Sequence, residues 1–300
     1  MSLRPLYMWA GGKTRLLKHY RQVWPPMDEF DAYVEPFFGG GAVFAWVHSI
    51  DPDLPAVLGD VNWELVGVLH AIKTAPQRFL ADVKKLTDEY FSLPTEKQAR
   101  KAWYYTQRER YWEDPTPPRL FVLMRLSFNG IWQDCKESNG LFATPAGLLN
   151  HKHPDQVYRE EMVLAWSQAL ARAELHACDY RDLPIPSGRV LIYLDPPYRD
   201  SFTTYGTGFD DDDQKQLAFW FRERIAEGAT CLLSNRCVEG DTFFEDLLGD
   251  VATFHYFDVT YTAGRRKATS SGFQAKQARE FLAISKHRHL VSPHRTAPGL

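Results

Sequence analysis

The sequence predicts an α/β fold interrupted by an inserted, mainly helical segment. Three observations carry that expectation. Near the N-terminus a short apolar strand closes on glycines, a helix follows, and a second strand ends in an acid, which is the order of a nucleotide-binding α/β half. Beyond about residue 155 the alternation of strand and helix returns. Between the two lies a charged, aromatic stretch of helical period that belongs to neither.

Taken in order, residues 8–20 read as a loop, Ala10-Gly11-Gly12, running into a basic helix. Tyr33 to Phe38 reads as a buried strand closing on Gly39-Gly40-Gly41, and Ala42 to Ser49 as a helix. Ala56 to Asp60 is a second strand, and Asn62 to Lys73 resumes helical spacing. Pro76 to Trp112 is helical in period until Asp114-Pro115-Thr116-Pro117-Pro118 breaks the chain. Arg119 to Phe128 is an apolar helix, and Asn129 to Gly147, rich in Gly, Asn, Ser and Pro, reads as a hairpin or long loop. Strands follow at Glu174–Cys178, Val190–Leu194, Thr230–Leu233, Ala252–Tyr261 and Phe281–Ser285, with helices at Gln214–Glu227 and Asp241–Leu248. The expected organisation is one domain from 1–71 and 155–286, an insert at 72–154, and a disordered tail at 287–300.

Composition excludes several classes. The chain has 300 residues, 44% hydrophobic and 24% charged, which is ordinary globular usage and neither disordered nor collagen-like. No apolar run approaches the roughly 18 residues a membrane span needs, and residues 1–18 lack the apolar core of a signal peptide. Cys135, Cys178, Cys231 and Cys237 are far apart, so neither a disulfide framework nor a zinc site is expected, and the reading is a cytoplasmic protein. The net charge of −3 hides basic ends. Arg4, Lys13, Arg15 and Lys18 precede the first acid, Asp28, and in residues 261–300 Glu280 is the only acid among the bases. Such ends favour a polyanion as partner.

The strongest motif is Asp195-Pro196-Pro197-Tyr198, directly after the apolar run Val190 to Leu194. In an open parallel sheet, ligands bind beyond the carboxyl ends of strands, and the motif is expected there. These residue types suit methylation of an exocyclic base amine, a poor nucleophile because its lone pair is delocalised into the ring. A carboxylate accepting one N–H and a carbonyl accepting the other favour the pyramidal nitrogen of the transition state. Asp195 fits the first role, the Pro196 carbonyl the second, and the Tyr198 ring can stack on a base swung out of the helix. Glu35-Pro36-Phe37-Phe38-Gly39-Gly40-Gly41 lets backbone approach a ligand closely, and Asp60 is placed to hold a ribose hydroxyl. Trp9-Ala10-Gly11-Gly12-Lys13-Thr14 imitates a P-loop only in its tail, since Tyr7 stands where that pattern needs glycine. The acids Asp210 to Asp213 read as the start of a helix, stabilised by its dipole, and no metal is expected.

Together, Trp9 to Lys13, Glu35 to Gly41, Leu58-Gly59-Asp60-Val61-Asn62 and Asp195 to Tyr198 resemble the Dam-type DNA adenine N6-methyltransferases, in the order of their alpha group. Weaker likeness continues through Phe202–Phe209, Leu233-Ser234-Asn235 and Arg265–Ile284. The resemblance implies a Rossmann-like fold, S-adenosylmethionine as cofactor, double-stranded DNA as substrate with base flipping, and no membrane or obligatory protein partner. It implies cofactor contacts at Trp9, Lys13, Glu35, Phe37, Gly39, Gly41, Asp60, Asp179, Tyr180 and Asp195. It implies a DNA-reading hairpin containing Phe128, Asn129 and Gln133, with Arg125 nearby. GATC-methylating members carry arginine where this chain has Gln133 and asparagine where it has Cys135, so another recognition sequence is expected. The alternatives are a cytosine N4-methyltransferase, a non-catalytic DNA-binding protein and a P-loop NTPase.

Overall fold

The computed structural model describes residues 3–9, 11–199, 208–261, 267–269, 272–274 and 276–286. Strands β1 (Ala32–Glu35), β2 (Ala56–Asp60), β3 (Ala173–Ala177), β4 (Val190–Leu194) and β5 (Thr230–Arg236) run parallel. β6 (Ala252–Tyr261) pairs antiparallel with β9 (Lys276–Ser285), and β9 with β5; β7 (Lys267–Thr269) and β8 (Gly272–Gln274) pair with each other. The described helices are α1 (Leu17–Tyr20), α2 (Ala42–Ile50), α3 (Trp63–Thr74), α4 (Pro76–Ser92), α5 (Lys97–Glu113), α6 (Pro117–Leu126), α7 (Asp155–Tyr158), α8 (Glu160–Ala169), α9 (Asp211–Ala226) and α10 (Phe243–Leu248).

The main sheet has the order β3-β2-β1-β4-β5-β9-β6. The chain steps outward from β1 through β2 to β3, then crosses back to lay β4 on the other side of β1. The carboxyl ends of β1 and β4 therefore flank the switch point, where connections diverge and leave a crevice. Along β4, Leu191 and Tyr193 face one core, while Val190, Ile192 and Leu194 face the other. Burial on both faces is why this strand reads as an unbroken apolar run. Leu217 and Phe221 of α9 and Phe244 and Leu248 of α10 cover one face. On the other face the core runs from α2 and α3 into the insert, where Leu69 and Ile72 share one cluster with Phe79, Val83, Phe121 and Leu123.

Several elements differ from expectation. The basic helix after Gly12 shrinks to a 3-10 turn, Lys13–Arg15, and the four-residue α1, because Lys13 turns inward and is buried. The single helical stretch 76–112 breaks in two around Pro94. Asn129 to Gly147 forms no paired strands among the described residues; one isolated bridge, Ser127 with Ala146, closes it. β9 begins at Lys276 because backbone pairing with β6, from Lys276–Tyr261 to Ser285–Ala252, sets it rather than an apolar pattern. Asp210 accepts from the N–H groups of Asp212 and Asp213 and so starts α9 earlier than its apolar pattern suggests. The expected tail and most of Phe202–Phe209 lie outside the described residues. No described helix is long and apolar enough to cross a membrane.

Candidate active site

β4 ends at Leu194, so Asp195 stands at the switch point. Its carboxylate takes the Lys13 ammonium, 2.6 Å from Oδ2 and 2.5 Å from Oδ1. Ser234 on neighbouring β5 donates its hydroxyl to Oδ1 at 3.0 Å, and Tyr193 Oη lies 2.9 Å from that hydroxyl. Burial pushes the Asp195 carboxyl above the usual aspartate range, Lys13 and Ser234 oppose that shift, and Glu280 adds to it. The Pro197 carbonyl accepts from Gln214 Nε2 at 2.8 Å; among the described residues no side chain bonds the Pro196 carbonyl. Tyr198 donates its hydroxyl to Glu280, and its ring lies 4.6 Å from the Lys13 ammonium. Arg199 then fixes the far end of the loop. It pairs with Asp211 at 2.6 Å and with Asp241, and lies 4.2 Å from the Phe243 ring centre.

The second wall comes from β1 and β2. Glu35 is only 2% exposed and accepts the Tyr33 hydroxyl at 2.7 Å; burial lifts its carboxyl far above the ordinary range. Asp60 accepts the Gly39 N–H at 2.8 Å and the Asn62 N–H at 2.9 Å, so it clips the glycine turn to the end of β2. Burial raises its carboxyl and those two N–H groups oppose the shift. Trp9 lies across the glycines. A Cβ on Gly39 would come within 2.8 Å of Trp9 Nε1, and one on Gly40 within 2.7 Å of Trp9 Cβ. Gly41, at φ +69°, starts α2 in the left-handed region. Phe37 packs on Tyr180 with ring centres 5.4 Å apart. The Asp179 carboxylate is held by its neighbour Arg181, from N at 2.9 Å and Nε at 2.7 Å, which keeps it below its ordinary value.

Trp9, Lys13, Glu35, Phe37, Gly39, Gly41, Asp60, Asp179, Tyr180 and Asp195 to Tyr198 all line one cleft of about 2330 Å³. The structure puts Lys13 on Asp195, so a ligand carboxylate has to share its ammonium.

Residues of α6 and the loop after it supply the outer rim. Phe128 is 45% exposed, and it, Asn129 and Arg125 line the same cleft. Gln133 does not line the cleft. Arg125 donates to the carbonyls of Leu6 (3.3 Å) and Gln156 (2.8 Å), and burial pushes its guanidinium down to about 10. It ties segments together more than it faces outward. The loop after Phe128 is held by a few backbone bonds, among them the Ala143 N–H to the Gln133 carbonyl (2.7 Å), and by side chains. Tyr104 donates to the Thr144 carbonyl (2.8 Å), Arg108 to that of Ala143 (2.7 Å) and Trp112 to that of Phe142 (3.0 Å). Thr144 bridges the Gln133 N–H (3.1 Å) and the Ile131 carbonyl (2.8 Å). Those bonds replace the strand ladder that a hairpin would have formed.

Sequence reading left Ser234, Gln214 and Glu280 out of the site. Ser234 had a signal, since it lies in the Leu233-Ser234-Asn235 likeness. Glu280 had another, as the one acid in a basic stretch. Gln214, a buried amide on α9, had none.

The model of the D12 class N6 adenine-specific DNA methyltransferases matches residues 9–281. The chain belongs to this family. This DNA methyltransferase is thus directed at adenine N6, which sets aside the cytosine and NTPase alternatives. It is 29% identical to the type II methyltransferase M.MjaIII of Methanocaldococcus jannaschii, across 96% of this chain and all of the relative. It is 30% identical to a DNA adenine methylase of Serratia marcescens, across 79% of this chain and 84% of the relative. The Retron Ec67 DNA adenine methylase of Escherichia coli is 27% identical across 93% of this chain and 90% of the relative.

Proposed function

We propose that this adenine methyltransferase takes its methyl group from S-adenosylmethionine and acts on an adenine flipped out of double-stranded DNA. The observation that carries the reading is the placement of Asp195, half-buried at the switch point beside the Pro196 carbonyl and the Tyr198 ring. The cleft suits the donor. Asp60 ends β2 where a ribose hydroxyl is held in such folds, and the Gly39–Gly40 cradle under Trp9 is one a Cβ would fill. The acids Glu35, Asp60 and Asp195 favour a cationic ligand.

When bound, S-adenosylmethionine supplies a methyl group already activated by its sulfonium charge. Asp195 accepts one N–H of the adenine amine and the Pro196 carbonyl accepts the other, which directs the nitrogen lone pair at the methyl. Asp195 would take up the proton that N6 sheds when it receives the methyl group. Its raised carboxyl makes it a better acceptor than an ordinary aspartate. Tyr198 stacks on the base, and Phe128, exposed at the rim, wedges into the duplex space the base has left. In the insert, which we propose as the target-recognition segment over residues 72–154, Gln133 reads a base edge from outside the cleft, and Asn129 lines the cleft's rim.

Calorimetry with S-adenosylmethionine tests the first half, with one site per chain expected. A duplex carrying 2-aminopurine at the target position tests the second, and its fluorescence should rise on binding. Absence of binding heat defeats the cofactor reading, and unchanged fluorescence in a bound complex defeats flipping.

A further inference from the structure

We infer that Glu280 is a positioning residue for the reaction, fixing the Tyr198 ring from β9, two strands away from β4. Its carboxylate accepts the Tyr198 hydroxyl, and the residue is 2% exposed. It sits on β9, opposite Arg236 of β5 and Phe257 of β6, so the antiparallel edge of the sheet reaches into the site at this point.

The Lys13 ammonium lies 4.6 Å from the Tyr198 ring, and the Glu280 bond adds a fixed point at the hydroxyl. Asp195 is fixed by Lys13 and Ser234, Pro197 by Gln214, and Arg199 by Asp211 and Asp241. Tyr198 lies between these points, and its side chain is a lever that can turn about two torsions. A tyrosine hydroxyl bonded to a buried carboxylate holds the ring in one plane, since charge-assisted bonds are roughly twice as strong as neutral ones. A base can stack only on a ring already turned to meet it, so fixing that plane lowers the cost of reaching the reactive pose. The same carboxylate also acts on Asp195, whose carboxyl it helps to raise. The groups facing Asp195 are Lys13, Ser234 and Glu280, with Glu35, Tyr20, Tyr33 and Tyr193 behind.

This inference rests on the proposed roles of Asp195 and Tyr198. The test is single-turnover methyl transfer to a duplex substrate by wild type, Glu280→Ala, Glu280→Gln, Tyr198→Phe and the double variant Glu280→Ala/Tyr198→Phe. Wild-type methylation of adenine establishes the underlying reading first; its failure there is separate from failure of this inference. Glu280→Ala and Tyr198→Phe should each slow transfer by about ten- to a hundredfold, with S-adenosylmethionine affinity within about twofold of wild type. The double variant should be no slower than the slower single one, because both remove the same bond. Glu280→Gln, whose amide oxygen still accepts the hydroxyl, should recover most of the rate. Its acid limb should move to lower pH, because a negative neighbour of Asp195 is gone. Multiplicative effects in the double variant, a wild-type rate in Glu280→Ala, or a Gln variant as slow as Ala would overturn the assignment. If the Ala variant does not fold, the Gln and Phe variants decide it by the same rates and pH profile.

Discussion

The crevice between β1 and β4 and the loop after Phe128 face the same cleft, yet they are built in opposite ways. The crevice is fixed by topology. Two strand ends meet at a reversal of order, and short bonds from Asp60, Lys13, Ser234 and Gln214 lock the turns that leave them. The loop over 129–147 carries no strand ladder among the described residues; scattered backbone bonds, such as the Ala143 N–H to the Gln133 carbonyl, and side chains of α3 and α5 hold it, with the exposed Phe128 ring at its start. On the proposed roles, chemistry falls to the part that cannot shift without the sheet, and recognition to a part whose outward residues can change while its anchors stay. Variants in the first should stop the reaction, and variants in the second should redirect or weaken it.

The largest effect should come from Asp195→Ala. Removing the preorganised acceptor should cost at least about a hundred- to a thousandfold in methyl transfer, with the thermal unfolding transition still cooperative. The pH profile of wild type sharpens the point. A carboxyl raised by burial is ionised only above its raised value, so activity should fall away at a higher pH than the roughly 3.9 of a free aspartate. An acid limb at the ordinary value would show that burial does not govern this group.

Next in size is Asp60→Ala, read by calorimetry. Losing a carboxylate that holds the glycine turn, and that is proposed to take a ribose hydroxyl, should weaken S-adenosylmethionine about ten- to a hundredfold. Unchanged affinity would remove Asp60 from the cofactor site.

Much of the crevice was legible in the sequence. A strand buried on both faces has to be apolar, so Val190 to Leu194 announced itself, and Asp195 to Tyr198 followed at its end. The glycine turn and Asp60 were legible for a similar reason, since a tight turn restricts residue choice. The partners of the motif were harder to see. Ser234 and Glu280 come from strands 39 and 82 residues away from the groups they bond. The loop was the least legible part. Gly, Asn and Pro mark a turn-rich segment but do not say whether its backbone bonds to itself or to side chains. Here it does both, and the side-chain share comes in part from Tyr104, Arg108 and Trp112, on a helix whose pattern shows only amphipathic spacing.

Two smaller effects belong to the insert. Gln133→Arg should change preference at one base pair by about 1–3 kcal/mol, shifting it toward guanine, with S-adenosylmethionine affinity unchanged. Methylation of a randomised duplex library by both proteins measures this, and identical motifs would detach Gln133 from base reading. Arg108→Ala removes a loop anchor and should weaken DNA binding by up to about tenfold while leaving the cofactor site alone. An equal loss at both sites would mean that the two regions do not divide the work.

The most direct test of the account is the identity of the modified nucleoside. A duplex library incubated with the protein and S-adenosylmethionine, digested to nucleosides and analysed by mass spectrometry, should contain N6-methyladenine. The same reaction with Asp195→Ala should contain none above background. N4-methylcytosine in place of N6-methyladenine, or N6-methyladenine at wild-type yield from Asp195→Ala, would contradict the claim that the β4 loop carries out adenine methylation.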